Sequence, residues 1–282
     1  MSEVLLQIAA KRGVFVPPPP HTPAGLGELA ADVFLHPVRG ARRMPRELAY
    51  LGRAQAFLLP TSVGGLAAWQ WGEPGRPLVG LVHGWEGHGA QLGGFAAPLV
   101  AAGFRVLAFD APGHGDSPGT EASVPLLGRL LAEMAEQAGP FHALVGHSMG
   151  AAAAAMATTF GVGLRGIVLL APPLCQLDRV ERLAVRAELS PEVRAACVAA
   201  VERRTAVSYA LADARAVARV APCPLLVFHD PVDADTDYAD SEKIVALWRG
   251  ARLVPCPGRG HYRLLATPGI IRQTVEFIHG LR

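Results

Sequence analysis

Cysteine is scarce in this chain. The 282 residues hold four, Cys175, Cys197, Cys223 and Cys256, and none is in a Cys-x-x-Cys spacing. That excludes a disulfide framework, a zinc site of paired thiolates and a redox dithiol, and it fits free thiols in the cytoplasm. Charge of one sign is missing too: 26 basic residues face 24 acidic ones, a formal net charge of +2. The basic residues are scattered, so no stripe for nucleic acid is expected. Arg42-Arg43 and Arg203-Arg204 read as solvated pairs. Every long apolar run is broken by glycine, proline or a charge, so no membrane span is predicted. Met1 to Ala10 carries Glu3 and no basic stretch ahead of an apolar core, so no signal peptide is expected. Aromatics make up only 6 % of the residues, which leaves no aromatic pocket signature.

What is present is core material. Hydrophobic residues make up 51 % of the chain, enough to bury both faces of a sheet. The first 54 residues read as an arm. Pro17-Pro18-Pro19-Pro20 predicts an extended stretch, and Pro45 a helix start. Two short antiparallel strands follow, Gln55–Leu59 and Leu66–Trp71. Then strands and helices alternate. Leu78–Val82, Arg105–Phe109, Phe141–Gly146, Gly166–Ala171, Pro224–His229 and Ala251–Pro255 read as strands, Leu78–Val82 and Gly166–Ala171 as buried ones. Helices are predicted over 91–102, 121–137, 241–248 and 268–280. Such alternation implies α/β architecture with a mostly parallel, doubly wound sheet. The stretch 174–220 breaks it with helical spacing rich in Ala, Arg and Glu. It reads as a small helical cap insertion of two or three helices, which splits the core into 55–173 and 221–282. Functional residues are then expected beyond the carboxyl ends of the strands.

One stretch carries a chemical signature. Gly146-His147-Ser148-Met149-Gly150 follows an apolar strand and precedes a block of alanines. In that context Gly-x-Ser-x-Gly is a nucleophile elbow, a strained turn that exposes the serine hydroxyl. A serine hydroxyl needs a general base, and the base needs an orienting carboxylate. His261, in the Gly-rich stretch Pro257 to Tyr262 after the last strand, is the candidate base. The candidate acids follow the strand that ends at His229: Asp233 is favoured, Asp230 and Asp235 stay open, and Asp237 is a further runner-up. Asp230 reads as a turn former, and Asp235 or Asp237 as a helix cap. The same cluster suggests calcium, but its spacing departs from the EF-hand pattern. Attack on an ester carbonyl builds negative charge on oxygen, which backbone N–H groups stabilise. Met149, after the nucleophile, and Trp85, in the loop after the Leu78–Val82 strand, are the candidate oxyanion donors. His83, His114, His147 and His229 read as loop-holding residues. No cofactor or metal is called for.

His83-Gly84-Trp85, Asp110-Ala111-Pro112-Gly113-His114-Gly115-Asp116-Ser117, Gly146-His147-Ser148-Met149-Gly150 and Gly260-His261 together resemble the α/β-hydrolase superfamily. The likeness covers roughly Gln55 to Arg282 and is closest to bacterial serine esterase-like members. It implies the α/β-hydrolase fold, with Ser148 as nucleophile, His261 as base, Asp233 as acid, and Trp85 and Met149 as oxyanion donors. The chain departs from the family's acid motif, His-Gly-x-x-Asp-x-x-Val-Pro. Asp230 replaces the glycine, and Thr236-Asp237 replaces Val-Pro.

The leading expectation is a carboxylic ester hydrolase acting on a small-molecule acyl substrate of small or medium chain length. Thioester or C–C bond hydrolysis would use the same triad, as would a perhydrolase side reaction. A non-catalytic ligand-binding member of the fold is the alternative from another class. Oligomeric state is not written in the sequence.

Overall fold

The computed structural model describes residues 3–19, 21–175 and 177–281. The chain opens with helices α1 (Glu3–Lys11), α2 (Pro23–Leu35) and α3 (Pro45–Leu51). Strands β1 (Gln55–Leu59), β2 (Leu66–Trp71) and β3 (Leu78–Val82) follow, then α4 (Ala96–Ala101), β4 (Arg105–Phe109), α5 (Val124–Ala138), β5 (Phe141–His147), α6 (Met149–Met156) and β6 (Gly166–Leu170). Four helices come next, α7 (Leu177–Arg186), α8 (Pro191–Thr205), α9 (Tyr209–Ala212) and α10 (Ala214–Val220). The chain closes with β7 (Leu225–His229), α11 (Tyr238–Leu247), β8 (Ala251–Pro255), α12 (Gly260–Arg263) and α13 (Pro268–His279).

The eight strands form one sheet in the order β1-β2-β4-β3-β5-β6-β7-β8. β2 is antiparallel to both β1 and β4, and the remaining pairs are parallel. This is the α/β-hydrolase fold, with its doubly wound sheet covered by helices on both faces. Side chains alternate between two cores, as strand geometry demands. Leu78, Leu107, Leu144, Ile167 and Leu225 enter one core. Their neighbours Val79, Val106, Val145, Val168 and Leu226 enter the other.

Four local expectations change. Pro17 to Pro19 are non-helical as predicted, and Pro20 lies outside the described residues, but helices flank the run on both sides. Thr22 caps α2 by accepting from the Gly25 N–H, with Pro23 in the first turn. The helix predicted over 91–102 begins as a tight 3-10 turn, Gly89–Phe95, before α4. There Gly93 packs so closely on Tyr50 that an added Cβ would lie 2.7 Å from its ring. The helical spacing over 174–220 resolves into four helices rather than two or three. His261, expected in an open loop, sits in the short helix α12.

The first two helices do not trail from the fold. They form a third core with α7 and α8, built on Leu5, Leu29, Val33, Val180, Val193 and Val201. α2 and α8 touch backbone to backbone at Gly27, where a Cβ would lie 2.4 Å from the Ala196 Cβ and 2.8 Å from its carbonyl carbon. Gly27→Val is therefore expected to separate the two helices and cost about 1–3 kcal/mol. Denaturant unfolding checks the loss, and limited proteolysis should find new cleavage within residues 3–35. Unchanged stability and protection would show that the contact carries no weight.

Candidate active site

The elbow is built by steric exclusion. Ser148 caps α6 at φ 52° and ψ −119°, a conformation that costs a non-glycine residue about 1–3 kcal/mol. Two glycines let the turn close. A Cβ at Gly146 would lie 2.4 Å from the Gly150 carbonyl oxygen, and one at Gly150 would lie 2.3 Å from that of Val82. The Ser148 N–H donates to the Leu170 carbonyl at 2.9 Å, which ties the turn to β6. Ala151, Ala153 and Ala154 let α6 lie against the sheet.

His261 reaches the site from α12. Its Nδ1 donates to Asp233 Oδ2 at 2.8 Å, and the Thr236 hydroxyl is 3.3 Å from the same nitrogen. The other Asp233 oxygen accepts from the N–H groups of Asp235 at 2.7 Å and Thr236 at 3.0 Å. Burial alone would raise the pKa of this carboxyl. The His261 hydrogen bond and the two N–H donors outweigh it and hold the group at about 2. Asp233 is thus ionised at neutral pH.

The other candidate acids are engaged elsewhere. Asp230 is buried and accepts from the N–H groups of Val232 and Gly260, so it fastens the His261 turn to the end of β7. Asp235 is exposed, and Arg182 donates to its backbone carbonyl. Asp237 caps α11 by accepting from the Ala239 N–H. Asp233, Asp235 and His261 have ligand atoms within 4.8 Å of one another, a donor set that suits a cation. Both Asp233 oxygens are already taken by N–H donors, which argues against a metal there.

Ser148 and His261 line one cavity of about 890 Å³ together with Trp85 and Met149. No acceptor among the described residues takes the N–H of Met149 or Trp85. The Ser148 hydroxyl has no internal hydrogen bond among the described residues, a looseness common in unliganded sites.

Neutral histidines hold the surrounding loops. His83 Nδ1 donates to the Gly84 carbonyl at 2.7 Å, and its Nε2 accepts from the Ala111 N–H at 2.9 Å. Burial, with His114 nearby, drives its pKa well below the usual value, so the ring stays neutral. His114 Nδ1 donates to the Pro112 carbonyl, and its ring packs edge-on against Trp85. His147 Nε2 donates to the His261 carbonyl at 2.9 Å. Burial and the neighbouring His261 ring lower its pKa to about 3. His229 bridges the Ser241 hydroxyl and the Thr236 carbonyl behind Asp233. Asp110 binds the N–H groups of Gly89 and Asp116 and the Arg43 guanidinium, which secures the loop after β4.

Three contributors were given no role in the sequence reading. Thr236 stands where the family motif has valine, and its hydroxyl connects Ala171, His229 and His261. Glu86, at φ 55°, accepts from Arg12 and from the Val38 N–H, so the N-terminal helices grip the loop that carries Trp85. Arg179 lines the cavity from α7. Thr236 had a local signal in its departure from the motif. The other two depend on contacts distant in sequence.

A family profile described as serine aminopeptidase, S33, matches residues 73–236, more than half of the chain. None of the curated proteins matches the sequence. Among solved structures, a membrane phospholipase A described as a bacterial virulence factor is 20 % identical, with 99 % of this chain and 96 % of that one covered and a TM-score of 0.65. A hydrolase from Pseudomonas aeruginosa is 25 % identical over 80 % of this chain and 98 % of its own, with a TM-score of 0.60. A monoacylglycerol lipase from Paleococcus ferrophilus is 21 % identical over 77 % and 99 %, with a TM-score of 0.60. No helix among the described residues is long and apolar enough to cross a membrane.

The neutral His147 generates a pH prediction. Its folded pKa of about 3 lies below the unfolded value, so acidification protonates the unfolded chain first. The stabilisation is complete above about pH 6.5 and drains away as the pH falls toward 3, by about 1.4 kcal/mol per pH unit. His147→Gln, which keeps a donor for the His261 carbonyl, should flatten the stability curve between pH 6.5 and 4 relative to wild type. Urea unfolding across that range reads the slope. Parallel curves would contradict the assignment.

Proposed function

The chain belongs to the α/β-hydrolase family described as serine aminopeptidase, S33, and from that premise we propose that it cleaves a carboxylic ester through an acyl-enzyme on Ser148. The observation that carries this reading is the 2.8 Å contact of His261 Nδ1 with an ionised Asp233, in a turn that lines the same cavity as Ser148 of the elbow. In the proposed cycle His261 Nε2 takes the Ser148 proton as Oγ attacks the ester carbonyl. Asp233 fixes the imidazole tautomer and stabilises the imidazolium. The N–H groups of Met149 and Trp85 receive the developing oxyanion. His261 then returns the proton to the leaving alcohol. Water, activated by the same imidazole, releases the acid. None of these steps draws on a cofactor.

We further assign α7 to α10, within 174–220, as a cap over the site, with 1–54 as an arm and 55–173 and 221–282 as the core. Four free cysteines suit a reducing compartment, and we place the reaction in the cytoplasm. A cavity of about 890 Å³ suits small to medium acyl chains.

Hydrolysis of p-nitrophenyl esters from acetate to laurate tests the proposal. Wild type should turn over at least one of them, with the chain-length optimum sizing the pocket. Ser148→Ala should lose at least about a thousandfold in kcat, and Asp233→Asn about a hundredfold or more. Full activity in Ser148→Ala would sink the mechanism. Silence of the wild type on the whole series would favour a non-catalytic ligand-binding protein.

A further inference from the structure

The proposed chemistry leaves a charged wall of the cavity unexplained. Arg179, Arg182 and Arg186 lie on one face of α7, spaced three and four residues apart, and all three line the cavity. Val180 on the opposite face is buried in the third core, and Ala184 beside it is buried too, so the helix cannot rotate its arginines away. Arg12 lines the cavity from the end of α1. Four arginines thus face two acidic lining residues, Glu86 and Asp235.

These charges are unequally satisfied. Glu86 is paired with Arg12, whose Nη2 also donates to the His36 carbonyl. Arg12 Nε is buried with no acceptor. Arg182 donates to the Asp235 carbonyl, and Arg186 is exposed. Arg179 is half-buried and makes no hydrogen bond or ion pair among the described residues. Burial and the adjacent Arg182 destabilise its charged form, while Asp235 and Asp233 offset this from beyond ion-pair distance. A half-buried guanidinium without a partner is costly unless something else pairs with it. Its planar fork of donors matches the oxygens of a carboxylate or phosphate.

We infer that the substrate carries an anionic oxygen group, carboxylate or phosphate, which Arg179, unpaired among the described residues, receives in the wall of the cavity while the ester lies at Ser148. The inference rests on the ester-hydrolase reading for where the scissile bond lies. It goes beyond that reading in naming the substrate as an anionic ester, with Arg182 and Arg186 adding long-range attraction.

Competition reads it directly. Hydrolysis of the neutral ester p-nitrophenyl butyrate is inhibited with hexanoate, hexyl phosphate or hexanol, in wild type, Arg179→Gln and Arg179→Lys. The same three ligands are titrated calorimetrically against each protein, so the result does not depend on turnover. In wild type the anions should bind at least tenfold more tightly than hexanol, and less so as salt is raised. That preference should fall at least tenfold in Arg179→Gln and be partly kept in Arg179→Lys. Whichever anion loses more in Arg179→Gln identifies the group the site is built for. Anions binding no better than hexanol, or a preference that survives in Arg179→Gln, would overturn the inference. Absence of ester turnover with an intact, Arg179-dependent anion preference would instead count against the ester-hydrolase reading alone.

Discussion

The structure depends on how closely α6 approaches the sheet. Gly150 lies against the carbonyls of Val82 and His83, and Gly146 against the first turn of α6 itself. No side chain fits at either contact. Because the helix starts this close, Ser148 must turn through a strained conformation to connect β5 to α6. The strain and the contact are one constraint seen twice. Packing of the alanine-rich helix on β3, β5 and β6 is what sustains the serine's conformation.

Around that fixed point the loops are held by groups that stay uncharged or stay paired. His83 joins the loop after β3 to the loop after β4, and His147 joins the elbow to the turn that carries His261. Asp230 ties that turn back to β7. Buried imidazoles suit this work because each can donate from one nitrogen and accept at the other without carrying a charge into the core. The one anion at the centre, Asp233, is surrounded by donors on both oxygens.

Local features were legible in the sequence. Gly146-x-Ser148-x-Gly150 announces itself because a tight turn forbids side chains at fixed offsets. The central strands showed as apolar runs because they are buried on both faces, as in β3, β6 and β7. Asp233 was separable from Asp230 and Asp235 only weakly, since all three follow one strand and only loop geometry decides which carboxylate faces the imidazole. The two N-terminal helices were missed for a different reason. The apolar face of α2 packs on α8, whose sequence lies far downstream, α1 packs on α2, and the proline run between them drew the reading toward extended chain. Arg179 was illegible too. A helix carrying many arginines normally turns them to water, and only the tertiary placement of α7 puts this one in a cavity wall.

The backbone contact of Gly27 with Ala196 also bears on how the molecule assembles. Roughly 170 residues separate the two positions, and a ribosome adds about 5–20 residues per second. For about 8 to 34 seconds after α2 emerges, its partner does not yet exist. During that interval Leu26, Leu29 and Val33 lack α8 and have only α1 from this core beside them. The nascent arm is then a segment that gains from a chaperone's cover until α8 is made.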